Sequence, residues 1–220
     1  MRPRALTPEE VELLRAQMPT LRDVCLLGLL AYAGLRPGEV LALRWRDVGR
    51  VLVVDRSVSD GQIRQTKTST RRTVDLIPPL AADLDLLRPK VADPDALVIH
   101  GQRDQVLDLN NWRARTWRIA CETAGVRTTP YDGRHTYASL LIHEGRSLPY
   151  VTAALGHASP TTTLNHYAHV FDEARLATGV PMIEAVETAR ALLEARGVYP
   201  VCSSDPVRAL RSAPAAVRTA

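Results

Sequence analysis

Hydrophobic residues are spaced as in helices over most of this chain, but over residues 51–77 they are spaced as in β-strands. Residues 51–77 contain β-branched runs separated by Ser-Asp-Gly and Thr-Ser-Thr turns, the pattern of a small antiparallel meander. On both sides of this segment, apolar residues recur at helical spacing. The pattern favours a mainly helical α+β fold with a small three-stranded antiparallel β-sheet. With 220 residues the chain can bury one substantial core, so we expect one domain.

Several helix boundaries are signalled directly. A capping box with proline at the first helical position begins at Thr7. A second helix is predicted over residues 20–33, which are apolar on most sides, and Gly34 follows as its C-terminal cap. Asn110 is predicted to cap a later helix that Gly125 ends. Another helix is predicted to begin near Arg134 and end at Gly145, and residues 96–100 are predicted as a short strand. The long apolar helix should therefore lie in the core.

Composition narrows the class of protein. No run of eighteen apolar residues is present, the first residues lack the apolar core of a signal peptide, and the three cysteines are far apart. The cysteines form neither a disulfide framework nor a zinc pattern. We therefore expect a cytoplasmic protein with no metal and no cofactor.

Positive charge is concentrated in two segments. The net charge is +4, but residues 36–72 carry nine Arg or Lys against four Asp or Glu, and residues 110–135 carry five against two. Such patches can meet phosphates, although an ordinary solvated face has the same composition. Lysine occurs only at Lys67 and Lys90, whereas arginine occurs 26 times. Only an ammonium can release a proton near neutral pH, so Lys67 is a candidate proton donor.

A set of residues has the chemistry needed to cleave a phosphodiester. Arginines can neutralise the phosphate, a tyrosine can attack phosphorus, a histidine can donate a hydrogen bond, and a lysine can protonate the leaving oxygen. Taken singly, each has an ordinary alternative as a surface charge or a packed side chain. The candidate catalytic residues are Arg36, Lys67, Tyr131, Arg134, His157 and Tyr167. A metal site at the flanking His166 and His169 is disfavoured because no acidic cluster accompanies them.

Four segments in this order resemble the catalytic domain of the tyrosine recombinases, the phage-integrase family. They read GLRPGEVLALRWRDV, QTKTSTRRTVDLIP, YDGRHTYAS and LGHASPTTTLNHYAHV. The first segment also places Glu39 and Trp45 where the family has supporting residues. The resemblance covers roughly residues 5–175 and implies a tyrosine-recombinase-like helical core. We expect a catalytic domain over residues 1–196, a disordered tail over 197–220, and no N-terminal core-binding domain.

The resemblance also implies a reaction, site-specific DNA recombination. Tyr167 would form a 3′-phosphotyrosyl link with the DNA backbone, Arg36, Arg134 and His157 would hold the phosphate, and Lys67 would be the general acid. Double-stranded DNA is the expected partner and a homotetramer on DNA the expected assembly, with no membrane involved. Residues 181–196 could dock on a neighbouring protomer or pack within their own chain. The alternatives are a non-catalytic DNA-binding module and, more remotely, a small-molecule helical enzyme.

Three features depart from the family pattern. Tyr131 stands where the family usually has histidine, and a phenol is a poor base at neutral pH, so we expect it to hydrogen-bond the phosphate rather than move a proton. Gly133 replaces a residue that is usually apolar and is expected to loosen the approach to Arg134. Without the usual additional DNA-binding domain, we expect weak, largely non-specific DNA affinity, with a Kd of about 10⁻⁴–10⁻⁶ M.

Overall fold

The computed structural model describes residues 4–65, 71–174 and 179–200. The mainly helical class with a small antiparallel β component is confirmed. The α-helices are α1 (Pro8–Ala16), α2 (Leu21–Ala31), α3 (Pro37–Ala42), α4 (Pro78–Leu87), α5 (Leu109–Trp112), α6 (Arg118–Ala124), α7 (Pro130–His143), α8 (Leu148–Leu155), α9 (Pro160–Ala174) and α10 (Met182–Ala195). The strands are β1 (Val51–Val54), β2 (Arg56–Ser59), β3 (Gln62–Gln65) and β4 (Arg72–Asp75). Among the helices described, none combines the length and apolar character that crossing a bilayer requires.

The α1 boundary is the one that the sequence predicts. Glu10 donates its backbone N–H to Thr7 Oγ1 at 3.2 Å, and Thr7 donates its own backbone N–H to Glu10 Oε2 at 3.0 Å. These reciprocal bonds satisfy two donors that a helix start leaves without partners. The predicted capping box is therefore confirmed, with Pro8 as the first helical residue.

Helix α2 is the central element of the core, as predicted. Every residue from Asp23 to Ala31 is buried, and α2 packs against α4 on one side and α7 on another. Two glycines let these neighbours approach. A Cβ added at Gly28 would lie 2.7 Å from Leu80 of α4, and one added at Gly133 would lie 2.9 Å from Leu30 of α2. The expectation that Gly133 loosens this region is therefore wrong, because the missing side chain permits tight packing.

The strands pair differently from the predicted three-stranded sheet. Strand β1 pairs with β4, and β2 pairs with β3, so the described strands form two antiparallel pairs. Val54 pairs with Arg72, and Arg56 pairs with Gln65, so β2 and β3 lie between β1 and β4 along the chain. A three-stranded meander would instead pair β3 with β4. Lys67 lies outside the described residues.

The helix that precedes α7 differs from its prediction in two ways. The cap is Asp108 rather than Asn110, since an Asp108 carboxylate oxygen accepts the backbone N–H of both Asn110 and Asn111 at 3.0 Å. Helix α5 then continues into α6 through one π-helical stretch, Arg113–Trp117. Gly125 ends α6 with a φ of 68°, as predicted for a left-handed cap.

Helix α7 begins at Pro130, one turn earlier than expected. Asp132 accepts the backbone N–H of Thr129 at 2.7 Å and its hydroxyl at 3.0 Å, which stabilises the new start. The earlier start places Tyr131 in the first helical turn and Arg134 on the same helix. The predicted strand at 96–100 is replaced by isolated bridges from residues 97 and 100.

Helix α10 packs within its own chain, against α1 and α4. Its buried face is formed by Met182, Val186, Ala189 and Leu193. Arg190 extends from the same helix to a buried carboxylate pair on the two neighbours. It donates to Glu12 at 3.1 Å and to Asp83 at 2.9 Å, and both acids are at most 4% exposed. The cis arrangement of α10 is therefore held by charge as well as by apolar contact.

Removal of Arg190 should destabilise the fold strongly. Arg190→Ala leaves two buried carboxylates with less compensating charge, so we expect the free energy of unfolding to fall by about 3 kcal/mol. Urea unfolding followed by circular dichroism measures this difference. The control is Arg118→Ala, whose pair with Glu122 is exposed on both sides and should contribute less than about 1 kcal/mol. Equal losses in the two variants would contradict this account of α10.

Candidate active site

Arg36 lies at the junction between α2 and α3. It is the N-cap of α3, and its backbone N–H donates to Glu39 Oε2 at 2.7 Å. The side chain also turns back to Glu39, with Nη1 2.9 Å from Oε1. Because the side chain remains 38% exposed, the guanidinium is accessible to a ligand from solvent.

Glu39 is a buried carboxylate shared by two arginines. Arg72 of β4 donates to both of its oxygens, at 2.9 and 2.7 Å, and is itself buried. The Nε of Arg72 donates to the backbone carbonyl of Ala154 at 3.0 Å. Burial alone would raise the pKa of Glu39, but the hydrogen bonds and charge of Arg72, with those of Arg36, hold this pKa below its usual value. The carboxylate therefore ties β4 and α3 together in its charged form.

Arg134 projects from α7 into the protein and is only 5% exposed. Its Nη1 donates to the Gly34 carbonyl at 2.7 Å, and Nη2 donates to the Leu155 carbonyl. Burial lowers the pKa of Arg134 to about 9, and the nearby Arg36 acts in the same direction. The guanidinium thus stays protonated at neutral pH and joins the end of α2 to the end of α8.

His157 follows the left-handed cap of α8 at Gly156. Its Nδ1 lies 2.8 Å from Thr163 Oγ1 of α9, which fixes the ring between the two helices. Burial lowers the pKa of His157 to about 4, and the charges of Arg134 and Arg36 add to this effect. The imidazole is therefore neutral near pH 7 and has Nε2 left for another hydrogen bond.

Tyr167 lies on α9 and is 3% exposed. Its hydroxyl lies 2.6 Å from Nδ1 of His135, the residue that follows Arg134 on α7, and the two ring centroids are 5.5 Å apart. Burial raises the pKa of Tyr167 to about 12, although Arg134 opposes this shift. The phenol is therefore protonated at neutral pH and is held by a polar partner.

The structure brings four of the six candidate residues together. Arg36, Arg134 and His157 interact electrostatically, and Arg134 also interacts with Tyr167. Tyr131 instead has a side chain that is 58% exposed at the start of α7. Lys67 lies outside the described residues.

Sequence reasoning missed two residues of this site. Arg72 had a usable signal, because alternation in β4 places its charge on the same buried face as Val74. His135 had none, since its contact with Tyr167 depends on how α7 packs against α9. Glu39 was recognised only as a supporting residue, and the structure shows the bonds by which it supports Arg36.

The comparisons with known proteins agree with this architecture. The sequence model described as the phage integrase family matches residues 4–174. Tyrosine recombinase XerA of Pyrococcus furiosus is 30% identical over 169 residues, which are 73% of this chain and 56% of XerA. Transposase A from transposon Tn554 of Staphylococcus aureus is 31% identical over 180 residues, 77% of this chain and 50% of the transposase. The chain belongs to the phage integrase family, and it spans about half the length of these curated relatives.

Solved structures show the same fold. The XerA recombinase crystal structure aligns with a TM-score of 0.61 and 25% identity, over 89% of this chain and 64% of that chain. The Tn1549 transposon integrase in complex with a circular intermediate DNA aligns with a TM-score of 0.63 at 18% identity, over 89% and 66%. These two structures place the helices and strands described above in a recombinase-like fold.

Glu39 should make the stability of the protein depend on pH. A carboxyl whose pKa is depressed by folding stabilises the fold above its unfolded pKa of about 4.5, and this contribution is lost as the pH falls through the folded value. We expect Glu39→Gln to lose about 3 kcal/mol of unfolding free energy at pH 7, because Arg72 loses its buried counter-charge. The difference from wild type should shrink as the pH falls below about 4.5.

Urea unfolding at a series of pH values measures this effect. Glu122→Gln is the matched control, because its ion pair with Arg118 is exposed and should contribute less than about 1 kcal/mol at any pH. A Glu39→Gln difference that stays constant from pH 7 to pH 3 would contradict the role given to this carboxylate.

Proposed function

We propose that this chain is the catalytic part of a site-specific DNA recombinase, which cleaves and rejoins DNA through a 3′-phosphotyrosyl intermediate. One observation carries the proposal. The guanidinium groups of Arg36 and Arg72 both bind the carboxylate of Glu39, and Arg134 interacts electrostatically with Glu39 and with Tyr167. The excess positive charge favours an anion, and the phenol is a nucleophile suited to phosphorus.

The arginines would bind the scissile phosphate. Arg36 has an accessible guanidinium, whereas Arg134 is buried and orients its donors from a fixed position. Together the two guanidinium groups can neutralise the two non-bridging oxygens as negative charge develops. His157 is held at Nδ1 by Thr163 and would use Nε2 to donate a hydrogen bond to the same phosphate. Tyr131, exposed at the start of α7, would add a hydrogen bond on the DNA side.

The reaction would run in two transesterifications. Tyr167 Oη attacks phosphorus, the bond from phosphorus to O5′ breaks, and Lys67 donates a proton to O5′. The product is a 3′-phosphotyrosyl link and a free 5′-hydroxyl. The 5′-hydroxyl of another strand then attacks the link and releases Tyr167. The bond energy is conserved in the phosphotyrosine, so rejoining requires no nucleotide hydrolysis.

Double-stranded DNA is the proposed partner, and a homotetramer on DNA is the proposed assembly. In solved structures, the Tn1549 transposon integrase is in complex with a circular intermediate DNA, the XerH site-specific recombinase is bound to a palindromic difH substrate, and the λ integrase is bound to a core site. The two charged segments, residues 36–72 and 110–135, would supply the phosphate contacts. Cytoplasmic location and a catalytic domain that ends near residue 196 remain predictions.

Loss of the phenolic oxygen should abolish covalent chemistry. A nicked suicide DNA substrate, which releases the downstream fragment after cleavage, should trap wild-type protein as a covalent adduct visible on a denaturing gel. Tyr167→Phe removes the attacking oxygen and should give no adduct, while DNA binding persists. An adduct formed by Tyr167→Phe would refute the assignment of the nucleophile.

The accessible arginine should matter more for cleavage than for binding. Arg36→Ala removes one preorganised phosphate donor and should slow adduct formation by roughly 10²–10³-fold, with a much smaller effect on DNA affinity. The matched control is Arg196→Ala, since this exposed arginine pairs with Glu9 at the end of α10. Arg196→Ala should cleave at the wild-type rate, and equal losses in the two variants would argue against a phosphate role for Arg36.

A non-catalytic DNA-binding module is the second candidate function. Two observations favour it: Tyr131 replaces a histidine of the family pattern, and Tyr167 is almost completely buried. This function predicts salt-sensitive DNA binding with no adduct on any suicide substrate. The trapping experiment with wild-type protein therefore separates the two candidates.

A further inference from the structure

We propose that His135 is a catalytic residue of this chain, the base that accepts the phenolic proton of Tyr167 when the phenol attacks phosphorus. The inference rests on the proposed function, because it concerns the first step of strand cleavage. His135 lies within the segment YDGRHTYAS, but the resemblance to the family assigns it no catalytic role.

The contact between the two side chains supports this role. His135 Nδ1 lies 2.6 Å from Tyr167 Oη, within the range of a hydrogen bond to the reacting atom. The base role requires that the hydroxyl donate to Nδ1, so the neutral imidazole carries its hydrogen on Nε2. Because His135 follows Arg134 directly, α7 positions the phosphate-binding guanidinium and the base on consecutive residues.

Other candidate bases are placed less well. His157 uses its Nδ1 for Thr163 and is associated with Arg36 and Arg134 rather than with the phenol. Tyr131 is exposed and is a poor proton acceptor. His166 is exposed, and its ring centroid is 6.2 Å from that of Tyr167, which makes it a ring contact.

The surroundings of His135 keep it ready to accept a proton. Burial lowers its pKa; Asp132 on the same helix opposes this shift, whereas His166 of α9 and Arg134 add to it. The imidazole is therefore neutral at pH 7. His135 also lines an open cleft with Trp117 and Cys121, which gives the accepted proton a route to solvent.

The proposed step is balanced. The O–H bond of Tyr167 breaks, its proton passes to His135 Nδ1, and a bond forms between Oη and phosphorus. The bond between phosphorus and O5′ breaks with its electron pair on O5′, which Lys67 protonates. In the rejoining step the attacking 5′-hydroxyl gives its proton to the neutral Lys67 amine, its oxygen bonds to phosphorus, and the bond from phosphorus to Tyr167 Oη breaks. The imidazolium of His135 then returns a proton to the departing phenolate.

Adduct formation on the nicked suicide substrate tests this assignment. His135→Ala removes the base, and His135→Gln keeps a polar side chain that cannot take up a proton at neutral pH. We expect both variants to cleave at least about 100-fold more slowly than wild type. Imidazole added at millimolar concentration should restore part of the rate to His135→Ala through the open cleft, but not to His135→Gln. The matched control is His143→Gln, at the exposed last position of α7, which should cleave at the wild-type rate.

A substrate with sulfur in place of the leaving O5′ separates the base from the acid. A thiolate leaves without protonation, so this substrate should rescue Lys67→Ala but leave the His135 variants slow. Circular dichroism checks that the variants fold. If His135→Ala does not fold, the rate of His135→Gln on the two substrates decides the question.

Several outcomes would overturn the proposal. Cleavage by both His135 variants within about three-fold of wild type would do so, as would faster cleavage, which would mean that the contact restrains Tyr167. If added imidazole does not restore the cleavage rate that His135→Ala loses, His135 has a structural role and not that of a base. If wild-type protein forms no adduct, the proposed function fails first; if it forms one and the His135 variants match it, only this inference fails.

Discussion

The carboxylate of Glu39 is the interaction on which the rest of the candidate site depends. Each of its oxygens accepts two hydrogen bonds, and the donors come from α3 and β4. A buried carboxylate with that many donors is stable only in its charged form. Its charge in turn allows Arg36 and Arg72 to lie close to each other and to Arg134. The protein can therefore concentrate positive charge in its interior, provided that this one acid is in place.

The buried Arg134 complements Glu39 in a different way. Its donors are directed at the carbonyl of Gly34, which follows α2, and at the carbonyl of Leu155, the last residue of α8. The final carbonyl groups of a helix such as α8 have no partner within the helix, and the helix dipole makes this end negative. The Glu39 carboxylate thus stabilises the charge of Arg36, whereas backbone carbonyls stabilise that of Arg134. Through these carbonyls, Arg134 connects α7 to the segment after α2 and to the end of α8.

The sequence could predict the helical parts of this fold in detail, because capping residues and apolar spacing are local signals. The capping box at Thr7, the buried α2 and the cap at Gly125 were all predicted correctly. The strand pairing was not, because β1 pairs with β4, which lies about twenty residues further along the chain, and local composition does not mark such a contact. The start of α7 was missed by one turn, since Asp132 stabilises it through contacts that no periodicity marks.

The same distinction between local signals and tertiary contacts applies to the candidate site. Motif spacing selected Arg36, Arg134, His157 and Tyr167, which the structure brings into one electrostatic group. It could not select His135 or show that Tyr131 is exposed, because both facts depend on the rotation of α7 against its neighbours. Gly133 misled for a related reason: from the sequence alone, a missing side chain looks like a loss of packing, whereas here it allows closer packing.

The glycine contacts on either side of α2 have a consequence for how such a protein can evolve. A methyl group at Gly133 would meet Leu30 Cβ and backbone, and one at Gly28 would have to displace the end of the Leu80 side chain. Filling small gaps in the interior, a usual route to greater heat resistance, is therefore restricted along this axis. Arg36 follows α2 and Arg134 adjoins Gly133, so any spreading of these helices would also move the anion-binding groups. Selection for higher thermal stability should therefore favour substitutions at exposed positions. The residues between α2 and its neighbours α4 and α7 should diverge most slowly among descendants of this chain.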